Sequence, residues 1–394
     1  MTRLWEKGLP LDQRVLAFTA GEDHLLDARL VPYDALASVA HAEMLAEQDL
    51  ISSEDCDAIC GGLRKLEESF ADGEWSISLE DEDVHTALES RLTELIGSAG
   101  GRLHLGRSRN DQVLAALRLY ALDATDAVTG SVAELLQALS RLADRDGGTS
   151  IPGYTHMQHA MPSSVALWCG GFAEAFTDDE AGLQAARRRF DKNPLGSAAG
   201  YGTPGLAIDR QKTTSKLNFA ETQEPVTAVQ LSRGKAESGL LFELTLLVQD
   251  LGRLASDLLL FYTQEFAYIE LAAEVTTGSS IMPQKRNPDV LELIRGSGAT
   301  AQACLDECLM ITAKLPSGYQ RDLQRLKAPM FRAIDLAVDC VDIMAYVLQG
   351  LNFKAENIEL DESINAATQA NELVSAEGIP FREAYRRVAK RYNK

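Results

Sequence analysis

One stretch gathers most of the chemistry-capable groups of this 394-residue chain: Thr277-Gly278-Ser279-Ser280-Ile281-Met282-Pro283-Gln284-Lys285-Arg286-Asn287-Pro288. It holds a glycine, two adjacent hydroxyls, an amide, two cations and an Asn-Pro pair, between two long helical patterns. Gly278 and Pro283 interrupt helical periodicity, so the spacing predicts a loop. Asn287 is a favoured N-cap and Pro288 a favoured first helical residue, so a helix is expected to start here. Hydroxyls and cations held at a helix N-terminus suit an anion.

Two other breaks share this design. His104-Leu105-Gly106-Arg107-Ser108-Arg109-Asn110-Asp111-Gln112 follows Gly100-Gly101 and precedes a helical pattern that runs to about Asp146. Arginine is suited to bidentate carboxylate binding; the plainer reading is a solvated basic turn. Ile151-Pro152-Gly153-Tyr154-Thr155-His156-Met157-Gln158 again gives a break, polar groups and a long helix. A single histidine such as His156 is usually packed or solvated. His85 and Glu89 are four apart, share a helix face and read as a surface pair.

Those breaks need helices to hold them. Helical patterns cover Asp27 to Glu47, a segment capped near Ser52-Ser53 and running to about Phe70, a helix opening at Asp83, and the stretches from Pro288 to about Ala313 and from Lys327 to about Leu351. Residues 1–20 read as irregular, and the segment from Asn357 as two or three short helices. Between Val226 and Tyr268 there is no proline, and LLFELTLLVQDLGRLASDLLLFYTQEF is apolar on more than one face. A continuous helix there would make a rod of about 60 Å, long enough to call for burial by other subunits. No alternating strand pattern stands out. The expectation is an all-α fold with a long central bundle, divided as 1–106, 107–350 and 351–394.

Composition narrows the function classes. A net charge of −20 argues against nucleic acid or an anionic membrane as the main partner. An anionic substrate must then be drawn by a local basic cluster. No apolar run reaches a membrane span, and the first residues show no apolar signal core. The six cysteines, with two pairs four apart inside helical patterns, read as reduced core residues of a cytoplasmic protein rather than metal ligands.

GSSIMPQKRNP resembles the signature loop of the fumarase/aspartase superfamily, whose members release fumarate from a succinyl group. HLGRSRNDQ, GYTHMQ, EDVHTALESRL and GIPFREAYRRV are similar to the argininosuccinate lyase family within it, and the resemblance runs from LWEKG to the end of the chain. It implies an all-α homotetramer with a central bundle of long helices and active sites built from loops of three subunits. It implies a small-molecule substrate, argininosuccinate, and neither metal nor organic cofactor.

Argininosuccinate loses a Cβ proton and a guanidino nitrogen in this chemistry. The carbanion spreads into the adjacent carboxylate, so a fixed cation and hydrogen-bond donors there lower the barrier most. By family position, Ser279 is the base, its alkoxide favoured by local cations and the helix dipole. Lys285 and Asn287 hold the developing charge. His156 is the general acid toward the leaving nitrogen, or orients a water that is, with Glu292 as its carboxylate partner. Ser108, Arg109, Asn110 and Thr155 bind the succinyl carboxylates. Gln284 also belongs to the substrate-binding set, and Tyr319 and Gln324 match positions that contact the arginine portion.

The chain departs from the family in places. Leu105 stands where threonine is usual. Thr19-Ala20-Gly21 replaces an Asn-Ala-Ser stretch, removing a hydroxyl near a substrate carboxylate. Arg233-Gly234-Lys235 replaces an acidic Asp-Arg-Asp stretch, and the C-terminus is short. Two alternatives follow: a sister lyase acting on another N-substituted aspartate such as adenylosuccinate, and a non-catalytic scaffold. The GRSRND stretch and Gln284 favour argininosuccinate; retention of Ser279, His156 and Lys285 disfavours the scaffold.

Overall fold

The computed structural model describes residues 12–392. The LWEKG segment lies outside the described residues. Helices α1 (Gln13–Ala20), α2 (Asp23–Leu26), α3 (Val31–Glu47), α4 (Ser53–Ala71) and α5 (Val84–Ile96) come first. The 38-residue α6 (Arg109–Asp146) is followed by strands β1 (Ser150–Thr155) and β2 (Gln158–Ser164) and helix α7 (Val165–Arg187). Short pieces come next: β3 (Lys192–Asn193), α8 (Arg210–Lys216), β4 (Glu221–Thr222) and α9 (Val226–Leu231). Then follow α10 (Lys235–Tyr262), β5 (Ile269–Glu270), β6 (Thr277–Gly278), β7 (Arg286–Asn287), α11 (Asp289–Thr312), α12 (Lys327–Gln349), β8 (Asn352–Phe353), α13 (Ala366–Glu377) and α14 (Phe381–Tyr392). The architecture is all-α; among the described residues, strands occur only in two-stranded pairs.

Local chemistry explains the starts. Ser52 accepts from the Asp55 N–H at 3.1 Å and opens α4, and Asp83 accepts from the Thr86 N–H at 2.9 Å and opens α5. Asp12 does the same for α1, accepting from the Arg14 N–H at 2.8 Å, so residues 13–20 are helical where irregular chain was expected.

The chain forms two compact units. The first takes the described residues of 1–127 with 182–243 and 302–334. Its core includes Leu30, Val31, Met44 and Leu45, Ile59 and Leu63 of α4, and Leu88 and Leu92 of α5, all buried. A Cβ at Gly62 would stand 2.6 Å from Leu92 Cδ1, so α4 and α5 meet at a glycine. The second unit takes the described residues of 128–181, 244–301 and 335–394. Leu244, Leu247, Val248, Leu251, Leu254 and Leu258 of α10 are fully buried in it; each such side chain contributes about 1.5–3 kcal/mol. Trp168 on α7 donates to Asp257 at 2.9 Å and packs against Phe172, Phe261 and Phe353. Ala370, Ala384 and Val388 make a small separate core under α13 and α14.

The forty-residue rod is not continuous. Gly234 adopts φ +80° between α9 and α10, and α10 begins at Lys235 and ends at Tyr262. At 28 residues it is about 42 Å long. Large apolar side chains nevertheless stay open to solvent, including Leu293 at 72% and Met310 at 77% exposure. All six cysteines are free and buried. Among the described residues no helix is long and apolar enough to cross a membrane.

Candidate active site

The first polar break starts α6 by reciprocal capping. The Asn110 N–H donates to Ser108 Oγ at 3.3 Å, and the Ser108 N–H donates to Asp111 Oδ1 at 3.0 Å. The other Asp111 oxygen accepts from the Gly196 and Ala198 N–H groups at 3.0 and 2.7 Å, which pins the break to the 196–198 turn. The two arginines flanking Ser108 part company. Arg107 is buried and donates to Ser38 Oγ at 2.9 Å. Arg109 instead lines a cavity of about 140 Å³ and pairs with Asp83.

That cavity also receives Asn110, Tyr319 and Gln324, so four sequence-predicted residues meet there, with Ser108 capping the adjoining helix. Gln324 donates its amide to Thr19 O at 2.9 Å and Ala20 O at 3.3 Å, so the departing Thr19-Ala20-Gly21 stretch forms its support. Arg233 lines the cavity too, its guanidinium 5.9 Å from the Tyr319 ring. The cavity is smaller than the roughly 300–1,000 Å³ of a complete ligand site, and every lining residue comes from the first unit.

His85 is the main correction. It is not a surface partner of Glu89; it is buried, lines the cavity and bonds Asp34 through Nδ1 at 2.7 Å. Glu89 faces His104 at 3.6 Å. Burial alone would lower the His85 pKa, but Asp34, then Asp83 and Asp27, raise it and favour the imidazolium. Burial likewise opposes charge on Asp83, yet His85 and Arg109 hold its carboxyl down at about 2. Buried Lys327 reaches Asp23 at 2.8 Å and Asp27 at 2.6 Å. Sequence reading passed over Asp23, Asp27, Asp34 and Lys327. A signal was present: acidic residues recurring at helical spacing in apolar chain must find partners if buried.

The second break is a hairpin rather than a loop. Tyr154 pairs with His159 and Thr155 with Gln158, leaving His156 and Met157 as the two-residue turn. Their φ values are 53° and 61°, as a two-residue hairpin of this twist needs. Thr155 and His156 are both exposed. Tyr154 braces the hairpin, its hydroxyl 3.0 Å from His159 Nε2 and 3.4 Å from the Tyr268 hydroxyl.

The third break closes at its base, where Thr277 pairs with Asn287 and Gly278 with Arg286. Asn287 is therefore a strand residue and not the helix cap. Its amide donates back to Gly278 O at 3.4 Å, and α11 begins at Asp289. Ser279 Oγ accepts from the Ile281 and Met282 N–H groups at 3.3 and 3.1 Å. Two N–H dipoles aimed at one hydroxyl oxygen favour negative charge on it. Gln284 and Lys285 are exposed, and Lys285 has no ion-pair partner among the described residues. Glu292, one turn into α11, is exposed and makes no hydrogen bond with His156 in this chain.

A family model described as a lyase matches residues 9–302. In fold, the chain is similar to an EDDS lyase crystallised with formate, with a TM-score of 0.82 and 26% identity over 97% of this chain and 76% of that one. A class II fumarase from Schistosoma mansoni shares the fold at a TM-score of 0.79 and 20% identity, covering 97% and 89%. The class is thus a lyase of the fumarase/aspartase type. In sequence, the chain is 43% identical to an argininosuccinate lyase of Sorangium cellulosum over 98% of its own length and 90% of the relative's. It is 39% identical to that of Thermotoga neapolitana, over 100% and 98%. The chain belongs to the argininosuccinate lyase family.

Proposed function

We propose that this chain cleaves argininosuccinate to arginine and fumarate by acid/base β-elimination, the last step of making arginine. It is an enzyme of the lyase class. Ser279 removes the Cβ proton, Lys285 and Asn287 receive the charge that develops on the carboxylate, and His156, partnered by Glu292, protonates the leaving nitrogen. Ser108, Arg109, Asn110 and Thr155 hold the succinyl carboxylates; Gln284, Tyr319 and Gln324 complete the substrate contacts.

The observation that carries this reading is the seat of Ser279. Its hydroxyl oxygen takes two backbone N–H groups and, among the described residues, makes no hydrogen bond to a carboxylate, the environment an alkoxide base needs. The working form is a homotetramer whose sites draw loops from three subunits, acting in the cytoplasm on a small-molecule substrate, without nucleic acid or membrane. Two features support it: the exposed apolar side chains of α11, and the exposure of His156 and Glu292. The three-part division at 106 and 350 belongs to the same reading, supported by the separate small core of α13 and α14.

The test is an absorbance assay for fumarate with argininosuccinate and adenylosuccinate side by side. Release from argininosuccinate alone is expected. Release from adenylosuccinate alone would replace the substrate, and release from neither would favour the scaffold.

A further inference from the structure

The cavity lined by Arg109, Asn110, Tyr319 and Gln324 has an end, at Asp23 and Lys327, that none of the assigned roles uses. Lys327 Nζ lies between Asp23 Oδ2 at 2.8 Å and Asp27 Oδ1 at 2.6 Å, so one ammonium serves two carboxylates. Asp27 is completely buried and also accepts the Val84 N–H at 3.3 Å. Asp23 is the one of the two that reaches the cavity wall. Arg321 lines the same end and donates to Thr19 O at 3.0 Å, so the space beside Gln324 offers a guanidinium donor as well as the Asp23 carboxylate as acceptor.

Gln324 points the same way. Its amide hydrogens are engaged by Thr19 O and Ala20 O, which leaves its carbonyl oxygen as an acceptor. Elsewhere in the lining stand donors: Arg109, Asn110 and the His85 imidazole. His85 Nε2 is buried and without a partner, with the ring only 3% exposed, so this cavity is shaped for a ligand and not merely for packing. An acceptor carboxylate and a donor guanidinium beside Gln324, with further donors on the Arg109 side, complement a molecule with an ammonium and a carboxylate at one end and carboxylates at the other.

We infer that Asp23 receives the α-ammonium group of the substrate's arginine end, with the Gln324 carbonyl as second acceptor. This rests on the proposed argininosuccinate cleavage and makes Asp23 a specificity-determining residue. A site built to bond an N–H rejects the analogue lacking it, because its buried acceptor is left unpaired.

The experiment compares argininosuccinate with the analogue whose α-amino group is replaced by hydrogen. In the wild-type enzyme the analogue should show a KM higher by on the order of tenfold or more. Asp23→Asn should raise the KM for argininosuccinate by about the same factor and leave that for the analogue within about twofold. Equal KM values in the wild type, or equal rises for both substrates in the variant, overturn the inference. Because Asp23→Asn removes a partner of buried Lys327, a second measurement needs no variant. Arginine should inhibit the wild type at least about tenfold more tightly than 5-guanidinopentanoate, its des-amino counterpart; equal inhibition constants overturn the assignment. Fumarate release without this contrast removes only the inference. Absence of release from argininosuccinate removes the proposed function and the inference with it.

Discussion

Asp83 shows how one side chain serves fold and site together. It caps α5 through the Thr86 N–H and pairs with Arg109 in the cavity. Its pKa falls from the ordinary 3.8 to about 2, which corresponds to roughly 2 kcal/mol of folding stability. A depressed acid contributes that stability above the unfolded value and loses it as pH falls through the folded one. Asp83→Asn keeps a good capping residue and removes the charge. Urea unfolding should therefore show a loss of about 2 kcal/mol at pH 7 that shrinks progressively between pH 4 and pH 2. A loss unchanged across that range would assign the effect to capping or packing. His85 teaches a related lesson. Its spacing from Glu89 was legible, but its partner Asp34 is 51 residues away, and no periodicity reports a long-range ion pair.

At the scale of elements, local rules carried well where the chemistry is local. The caps at Ser52 and Asp83 and the end of α6 at Asp146 follow from residue type and spacing. They failed where tertiary contacts decide. Asn287 is a good cap by type, yet pairing with Thr277 takes it into a strand. His-Met is an unusual hairpin turn by composition, and only the Tyr154–His159 and Thr155–Gln158 pairing makes it one. The break at Gly234 was hidden because a single glycine does not end a helical pattern. There the backbone stands at φ +80° and a Cβ would meet Thr312 Cγ2 at 2.2 Å. Gly234→Ala should cost about 1–3 kcal/mol in thermal or urea unfolding. Adding Thr312→Ala should recover the steric part and leave the backbone part; full recovery would mean that φ at 234 carries no strain.

For the whole molecule, the break-then-helix design was legible three times over, and so was the family. How the three breaks combine was not, because no periodicity in the sequence reports which separate loops come together. His156 sits at a hairpin tip and Ser279 in a separate loop. If active sites are shared between chains, His156→Asn and Ser279→Ala proteins, each inactive alone, should regain part of the wild-type fumarate release after subunit exchange. No recovery after verified exchange would confine each site to one chain. The six buried thiols offer a different kind of access. Cys56, Cys60, Cys304 and Cys308 lie in the first unit, Cys169 and Cys340 in the second. Burial pushes the thiols of Cys60 and Cys169 up to about 12, so neither reacts readily while it stays enclosed. Each thiol is then a stopwatch started by opening of its surroundings. Maleimide labelling read peptide by peptide should mark the cysteines of one unit together. A rate that differs between the units would time their opening separately, with no cysteine engineered into the natural chain.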